Sequence, residues 1–336
     1  MTLSEPTWAV VATVDEPLAV VQTFVAWHLS LGAAHVYLYC DRPNDPVQAA
    51  VAHLPQVSIV ICDDVHWLRI GKSRPRRHQV RQVANARDAY ARTDADWLVH
   101  IDADEFLWSQ APVAQQLSAV SGTTDCLIIP VAERVHLEGA QNETVFKGAF
   151  RRPFVSSITK GRAVFGPDYS MTYKGLAGHA QGKVFVRTGR PLRLSIHRAR
   201  STDPECELGS ERADCGLLEL LHFDGLTSLQ WTFKLARMAH ALVKKGGMPP
   251  SPHRRKQANA LLADPDKADE IYHRLKTADE VQQTLLQAHD LWAAPAFDPM
   301  SPLQQWFPDQ EIDLAPAAID DWLRRKKRHI LTFLTE

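Results

Sequence analysis

In the stretch WLVHIDADEF, Trp97 to Phe106, an apolar run broken by one histidine ends on three acids in four positions, Asp102, Asp104 and Glu105. Carboxylates this close repel one another unless a cation or a donor-rich ligand lies among them. Asp102 and Asp104 are two residues apart, so if strand geometry persists through them both carboxylates point to one side. Hard oxygen donors on one side suit Mg²⁺ or Mn²⁺, which bind through one or two carboxylates together with substrate phosphates. The bland alternative is a solvated strand end with an aspartate capping a helix. A bare DxD does not choose between the two; its position after an apolar strand favours the cation.

Other elements must bring further groups to this strand end. TWAVVATV reads as a buried strand ending at Asp15-Glu16, and LAVVQTFVAWHLSLG as a helix closed by Gly32. AHVYLYC is the next strand, ending at Asp41; PVQAAVAHL is a short helix; QVSIVIC is a third strand, ending at Asp63-Asp64. A basic loop and helix, RIGKSRPRRHQVRQVANARDAYARTDAD, then deliver the chain to WLVHI. Strand-helix alternation of this kind predicts an α/β fold with a mostly parallel sheet flanked by helices. Ligands of such sheets bind outside the C-terminal ends of the strands, where Asp15, Asp41, Asp63 and Asp102 would all sit. GKS at Gly71–Ser73 is not a P-loop, which needs glycine where His66 stands, and no GxGxxG follows the first strand.

The middle of the chain offers shorter strands, TDCLIIPVA, KVFVR and LRLSIH. LLELLHFDG follows, apolar up to His222. SLQWTFKLARMAHALVKKGG is an amphipathic helix ended by Gly246-Gly247. The remainder is mostly helical with proline breaks. Lys183 follows Gly178 and Gly182, and reads either as a phosphate-closing lysine on a flexible loop or as a solvated one. KSRPRRHQVR could hold an anion, although such runs are more often solvated loops. WLRRKKRH, Trp322 to His329, reads as a charged helix face, with peripheral contact to an anionic membrane as the rival.

The whole chain of 336 residues is 45% hydrophobic and 23% charged, with a net charge of -1. No global field recruits nucleic acid. Five cysteines, Cys40, Cys62, Cys126, Cys206 and Cys215, show no CxxC spacing, which argues against a disulfide framework or a cysteine zinc site. The opening residues show no basic n-region followed by a long apolar run. The expectation is a cytoplasmic protein.

WLVHIDADEFLW resembles the W…iDaDEFl signature of glycosyltransferases with the GT-A (Rossmann-like) fold, in the family-2-like bacterial branch and its relatives in family 92. VATVDEPLAVVQTFVAWHLSLGAAHVYLYCDRPND is similar to the opening of that branch: a strand, a short polar nE, a helix ending W…H…G and a strand leading to D…D. Glu16 matches the nE and Asp15 departs from it. The likeness covers roughly the first 110 residues, and beyond them rests on GKVFVR, SIH and LLHFDG.

The resemblance implies a catalytic domain over residues 1–245 and a helical C-terminal extension over 246–336. It implies a nucleotide-sugar donor, UDP- or GDP-linked, and transfer to a glycan or other hydroxyl acceptor by an inverting displacement. Asp15, Glu16, Asp41 and Asp63 would surround the base and ribose, and Lys183 would approach phosphate. Asp102 and Asp104 would meet the ribose and the Mn²⁺- or Mg²⁺-bridged diphosphate. The imidazole ligand common late in such domains would be His222, with His197 as competitor. Glu105 would serve the acceptor side, or else be a helix N-terminal acid. The general base stays open among Glu133, Asp168, Glu219 and Asp224. Two rivals stand beside this reading: a binding protein for nucleotide sugars or glycans on the same fold, and a phosphohydrolase with a nucleophilic aspartate. The latter is disfavoured because its DxD comes early and is commonly followed by Thr or Val.

Overall fold

Trp8–Val14 forms strand β1 with all seven residues buried. A strand apolar on both faces needs a layer on each side, and the sequence supplies those layers as the helices between strands. The computed structural model describes residues 5–42, 46–155, 157–243 and 250–326. Two features expected from sequence, the Gly246-Gly247 helix end and the last residues of WLRRKKRH, lie outside them. The chain divides into two units. The first comprises Met1–Pro130, Gln181–Leu220 and Asp298–Ile312; the second comprises Val131–Ala180, Leu221–Phe297 and Asp313–Glu336. The boundary expected at residue 245 therefore falls inside the second unit, and the segment expected as an extension contributes to both.

In the first unit β1 is followed by α1 (Leu18–Ser30), β2 (His35–Cys40), α2 (Pro46–Val51), β3 (Val57–Ile61), α3 (Asp64–Arg69), α4 (His78–Arg92), β4 (Trp97–His100), β5 (Glu105–Ser109), α5 (Val113–Ser118) and β6 (Cys126–Ile129). The chain leaves for the second unit and returns as β9 (Lys183–Arg187), β10 (Leu192–Leu194), β11 (Ala199–Ser201), β12 (Ser210–Arg212) and the start of β13 (Leu218–His222). Seven strands form one sheet in the order β12-β6-β9-β4-β1-β2-β3. β4, β1, β2 and β3 run parallel, and β9 enters antiparallel between β4 and β6. The expected α/β class is what forms: a mixed, mostly parallel sheet flanked by helices.

The helix layers are specific. α4 lays Ala84, Ala86 and Ala89 against Ala9, Val11 and Leu98 of the sheet; alanines let a helix come close. On the opposite side α1 is buried from Val20 to Leu29. Its Trp27 Nε1–H donates to the Leu107 carbonyl at 2.6 Å. His28 donates from Nδ1 to the Phe24 carbonyl at 2.7 Å and accepts the Leu107 N–H at Nε2, 3.3 Å. Burial drives the His28 pKa down to about 3, so the ring is neutral and both nitrogens are used in that one tautomer. Two adjacent side chains of α1 thus pin β5, the strand that begins with Glu105. α11 (Met300–Trp306) also belongs here; its Trp306 indole donates to Ser30 of α1 at 2.9 Å.

The second unit holds β7 (Val131–Leu137), β8 (Ala149–Arg151), α6 (Ile158–Phe165), a 3₁₀ turn (Pro167–Met171), α7 (Ser228–Val243), α8 (Pro252–Ala263), α9 (Ala268–Lys276), β14 (Thr277–Ala278), α10 (Glu280–Ala288), β15 (Trp292–Ala293) and α12 (Pro316–Lys326). β15, β8 and β7 are antiparallel neighbours, and β14 adds to β7 in parallel. Its core packs Trp231 and Leu235 of α7 against Leu261, Tyr272 and Leu275. Among the described residues no helix is long and apolar enough to cross a membrane.

Candidate functional site

Strand β4 stops at His100, and strand geometry does not persist through the acids. The Glu105 N–H donates to the Asp102 carbonyl at 3.0 Å, closing a four-residue turn, and Glu105 Oε2 accepts the Asp102 N–H at 2.8 Å. The expectation of two carboxylates in period-two register is thus corrected to a reciprocal turn. Glu105, fully buried, opens strand β5 and is not a helix N-terminal acid.

The cation among these acids is supplied by the chain itself. Lys183 is completely buried, with Nζ 3.0 Å from Asp102 Oδ2 and 3.1 Å from Glu105 Oε2. The other Asp102 oxygen accepts from the Gln82 amide on α4. Burial disfavours the ammonium, but Asp102 and Glu105 outweigh it and hold the lysine pKa above its ordinary value. Burial likewise works against the Asp102 carboxylate; Lys183 outweighs it and holds that pKa at about 2. Lys183 was expected on a flexible glycine-rich loop. It instead opens β9, buried in an ion pair with Asp102 and Glu105. Gly182 beside it has φ +67°, and a Cβ there would lie 2.1 Å from the Ile129 carbonyl oxygen. Only glycine allows that approach, so this glycine serves contact, not mobility.

Asp102 and Glu105 share one buried ammonium, and Asp104 lies between them in the same turn. The donors are hard oxygens, and the Asp102 side chain keeps 29% exposure while Asp104 is buried. A divalent cation fits this charge and donor set.

The parallel strands bring the other acids to the same edge, where they meet different partners. Asp41, after β2, is nearly enclosed: Arg81 grips both its oxygens at 2.6 Å and Arg74 adds a contact at 3.1 Å. Burial opposes its charge, but the two guanidiniums hold its pKa below the usual range. Its oxygens are thus occupied by arginines; Asp41 anchors the basic loop to the sheet edge. Asp63 caps α3 by accepting the His66 N–H at 2.9 Å. Asp15 pairs with Arg42 at 3.3 Å, and its N–H donates to Glu16 at 2.7 Å. His197 lies between β10 and β11 and does not end a strand; its Nδ1 is 2.8 Å from the Gly182 carbonyl oxygen.

The second unit carries a buried charge cluster that sequence reasoning saw only in part. Glu133 on β7 stands opposite Arg151 on β8. It accepts from Arg151 at 3.1 Å and from the amides of Ala177 and Gly178 at 2.8 and 2.5 Å, and lies 3.2 Å from Lys276 Nζ. Burial opposes its charge, but Lys276 and Arg151 hold its pKa at about 2. A carboxylate so fully engaged is a poor proton acceptor, and Glu133 serves as a clamp on the Ala177-Gly178 loop. Asp224 receives Arg254 at 2.6 Å, and its pKa is held well below the usual range. Asp168 pairs with Arg274 at 2.7 Å, and Glu219 is buried on β13. His222 ends β13 as expected and stacks on His179 at 4.7 Å. It belongs to the second unit, whereas Asp102 and Asp104 belong to the first.

Lys276 lends itself to a pH test. It is fully buried, and burial lowers its pKa from 10.5 to about 8 despite Glu133 and Asp224. Below pH 8 the folded protein must keep an ammonium in a place that disfavours it. Above 10.5 both folded and unfolded chains hold it neutral. Wild type should therefore gain stability between pH 8 and 10.5, on the order of 3 kcal/mol from this group. Lys276→Met should lack that rise in urea denaturation series across this range; identical slopes would refute the assignment.

Of the groups that sequence reasoning passed over, Gln82 had a signal, since it lies on the same α4 face as Ala86 and Ala89. His100, Arg151 and Lys276 had none.

No family model matches the chain, and no curated protein matches it. Among solved structures the chain is similar to HddC from Yersinia pseudotuberculosis, at 10% identity and a TM-score of 0.36 over 65% of this chain and 93% of that one. It is also similar to the WbbM bifunctional glycosyltransferase in its apo form, at 14% and 0.27 over 39% and 24%. Residues 1–349 of S. aureus TarS align at 9% and 0.32 over 97% and 87%.

Proposed function

We propose that the chain is a metal-dependent glycosyltransferase that moves a sugar from a nucleoside-diphosphate donor to a hydroxyl acceptor. The observation that carries this reading is the clustering of Asp102, Asp104 and Glu105 in one turn, at the edge where four parallel strands end. Asp102 and Asp104 would hold Mn²⁺ or Mg²⁺, which when bound supplies charge stabilisation to a leaving diphosphate. Lys183 and Gln82 keep the Asp102 carboxylate ionised and fixed in direction, which a ligand must be before metal arrives. The Asp41 anchor holds the basic loop at the same edge. The inverting course and the UDP or GDP identity of the donor follow the sequence resemblance and belong to this proposal, as does a cytoplasmic setting. So does His222 as an imidazole ligand, with His197→Ala as its control.

The test is turnover of a panel of nucleotide sugars in Mn²⁺ with simple glycan acceptors. Release of nucleoside diphosphate supports transfer. Release of inorganic phosphate alone would replace the reading with hydrolysis, and tight donor binding without turnover would replace it with a binding protein.

A further inference from the structure

We propose that the α3–α4 face of the first unit docks on an anionic lipid bilayer. Val65 and Leu68 of α3 are 74% and 79% exposed, and Val80 of α4 is 47% exposed. Spaced i and i+3, Val65 and Leu68 share the outer face of α3, while His66 and Trp67 between them are buried. A lone exposed apolar side chain is ordinary, but grouped ones mark a contact surface. Docking of this kind is independent of the reaction assigned above.

The elements that carry these residues form one layer. Arg69 of α3 holds Asp88 of α4 at 2.8 and 2.7 Å, and Arg87 of α4 donates to the Leu194 carbonyl of β10 at 3.0 and 2.7 Å. Trp67, Ala84, Ala89, Leu194 and Ala199 pack beneath them in one cluster. The layer is basic. Residues 64–93 contain eight Lys or Arg against Asp64 and Asp88, and residues 190–201 contain four and no acid, in a chain whose net charge is -1. Asp88 is taken by Arg69 and Arg92, and Arg74 and Arg81 meet Asp41. Lys72, Arg76 and Arg77 are exposed and meet no carboxylate among the described residues. On the β10–β11 ribbon Arg193 stands directly opposite Arg200, and both are exposed. Like charges in that register repel, a cost that an anionic surface offsets.

Aliphatic tips set among cations choose the partner. Nucleic acid would engage the cations and leave the aliphatics in water. A folded protein grips side chains that fill pockets, and side chains three-quarters in water have no wall beside them. A bilayer needs no matching shape: the aliphatic tips enter the headgroup layer while Lys and Arg meet lipid phosphates. Asp63 caps α3 just after β3, so docking here brings the sheet edge with Asp41, Asp63 and Asp102 to the membrane surface.

Flotation of the full chain with vesicles tests this, using phosphatidylcholine alone and phosphatidylcholine mixed with phosphatidylglycerol. Wild type should float with the mixed vesicles, less with phosphatidylcholine alone, and less again as salt rises. Val65→Ser/Leu68→Ser should lower affinity for mixed vesicles roughly tenfold, and Arg76→Ser/Arg77→Ser by a similar factor. Both should melt as wild type does, since the replaced side chains are exposed. Arg255→Ser/Lys256→Ser, which removes two exposed cations from α8 in the second unit, should bind as wild type. A wild type that does not float overturns the proposal, and its retention on immobilised DNA or polyglutamate without flotation would assign the face to a polyanion instead. A Val65→Ser/Leu68→Ser protein that floats as wild type does, or an Arg255→Ser/Lys256→Ser protein that loses as much as Arg76→Ser/Arg77→Ser, also overturns it.

Discussion

Asp104→Ala is expected to weaken Mn²⁺-dependent binding of a nucleoside diphosphate by ~100-fold or more while leaving the fold intact. Asp104 lies in the turn between β4 and β5, not in either strand, so its loss opens no cavity between packed layers. It also removes one of three acids within four positions, which eases their mutual repulsion. Stability without metal should therefore stay within about 1 kcal/mol of wild type. Asp102→Ala should behave differently. That side chain takes hydrogen bonds from Gln82 and Lys183, so its removal should cost both binding and stability. Paired thermal melts and Mn²⁺ titrations of the two variants check the contrast. An Asp104→Ala protein with wild-type affinity would remove Asp104 from the metal site.

Lys183→Met should destabilise the first unit by about 3–5 kcal/mol. The methionine fills much the same volume, so the loss is electrostatic: Glu105 is fully buried and Asp102 is largely so, and both would be left facing each other without their cation. Adding Glu105→Gln should restore a good part of that loss, because the amide oxygen can still accept the Asp102 N–H while the buried charge is gone. Chemical denaturation of the two single variants and the double variant measures the coupling. A Lys183→Met protein within 1 kcal/mol of wild type would show that the ammonium is not what holds the turn together.

The parallel half of the sheet was legible because strands buried on both faces must be apolar throughout. β1, β2 and β4 read directly as such apolar runs, and β3, half-buried at the end of the sheet, carries the same Val- and Ile-rich pattern. Each run stops at an acid, and parallel pairing then places Asp15, Asp41, Asp63 and Asp102 along one edge. The acidic turn after β4 was legible for the same reason. Its conformation was not: whether Asp102 and Asp104 continue a strand or fold into a turn depends on the hydrogen bond from the Glu105 amide, for which residue types carry no period.

By itself the sequence determined which residues bear charge, which runs must be buried, and therefore which acids could share a sheet edge. Tertiary structure alone decided what those acids face. Lys183 stands 81 residues beyond Asp102 and reaches it because β9 turns antiparallel beside β4. Arg81 meets Asp41 across 40 residues. Pairings at such separations leave no local pattern, since nothing in the spacing of a lysine tells whether it will meet water or two carboxylates. The same glycines that suggested a mobile phosphate loop are compatible with a close backbone contact, and only the Ile129 carbonyl packed against Gly182 distinguishes them. Burial then sets the electrostatics: an ammonium that water would have screened becomes, with no water around it, the group that fixes the direction and charge of the Asp102 carboxylate.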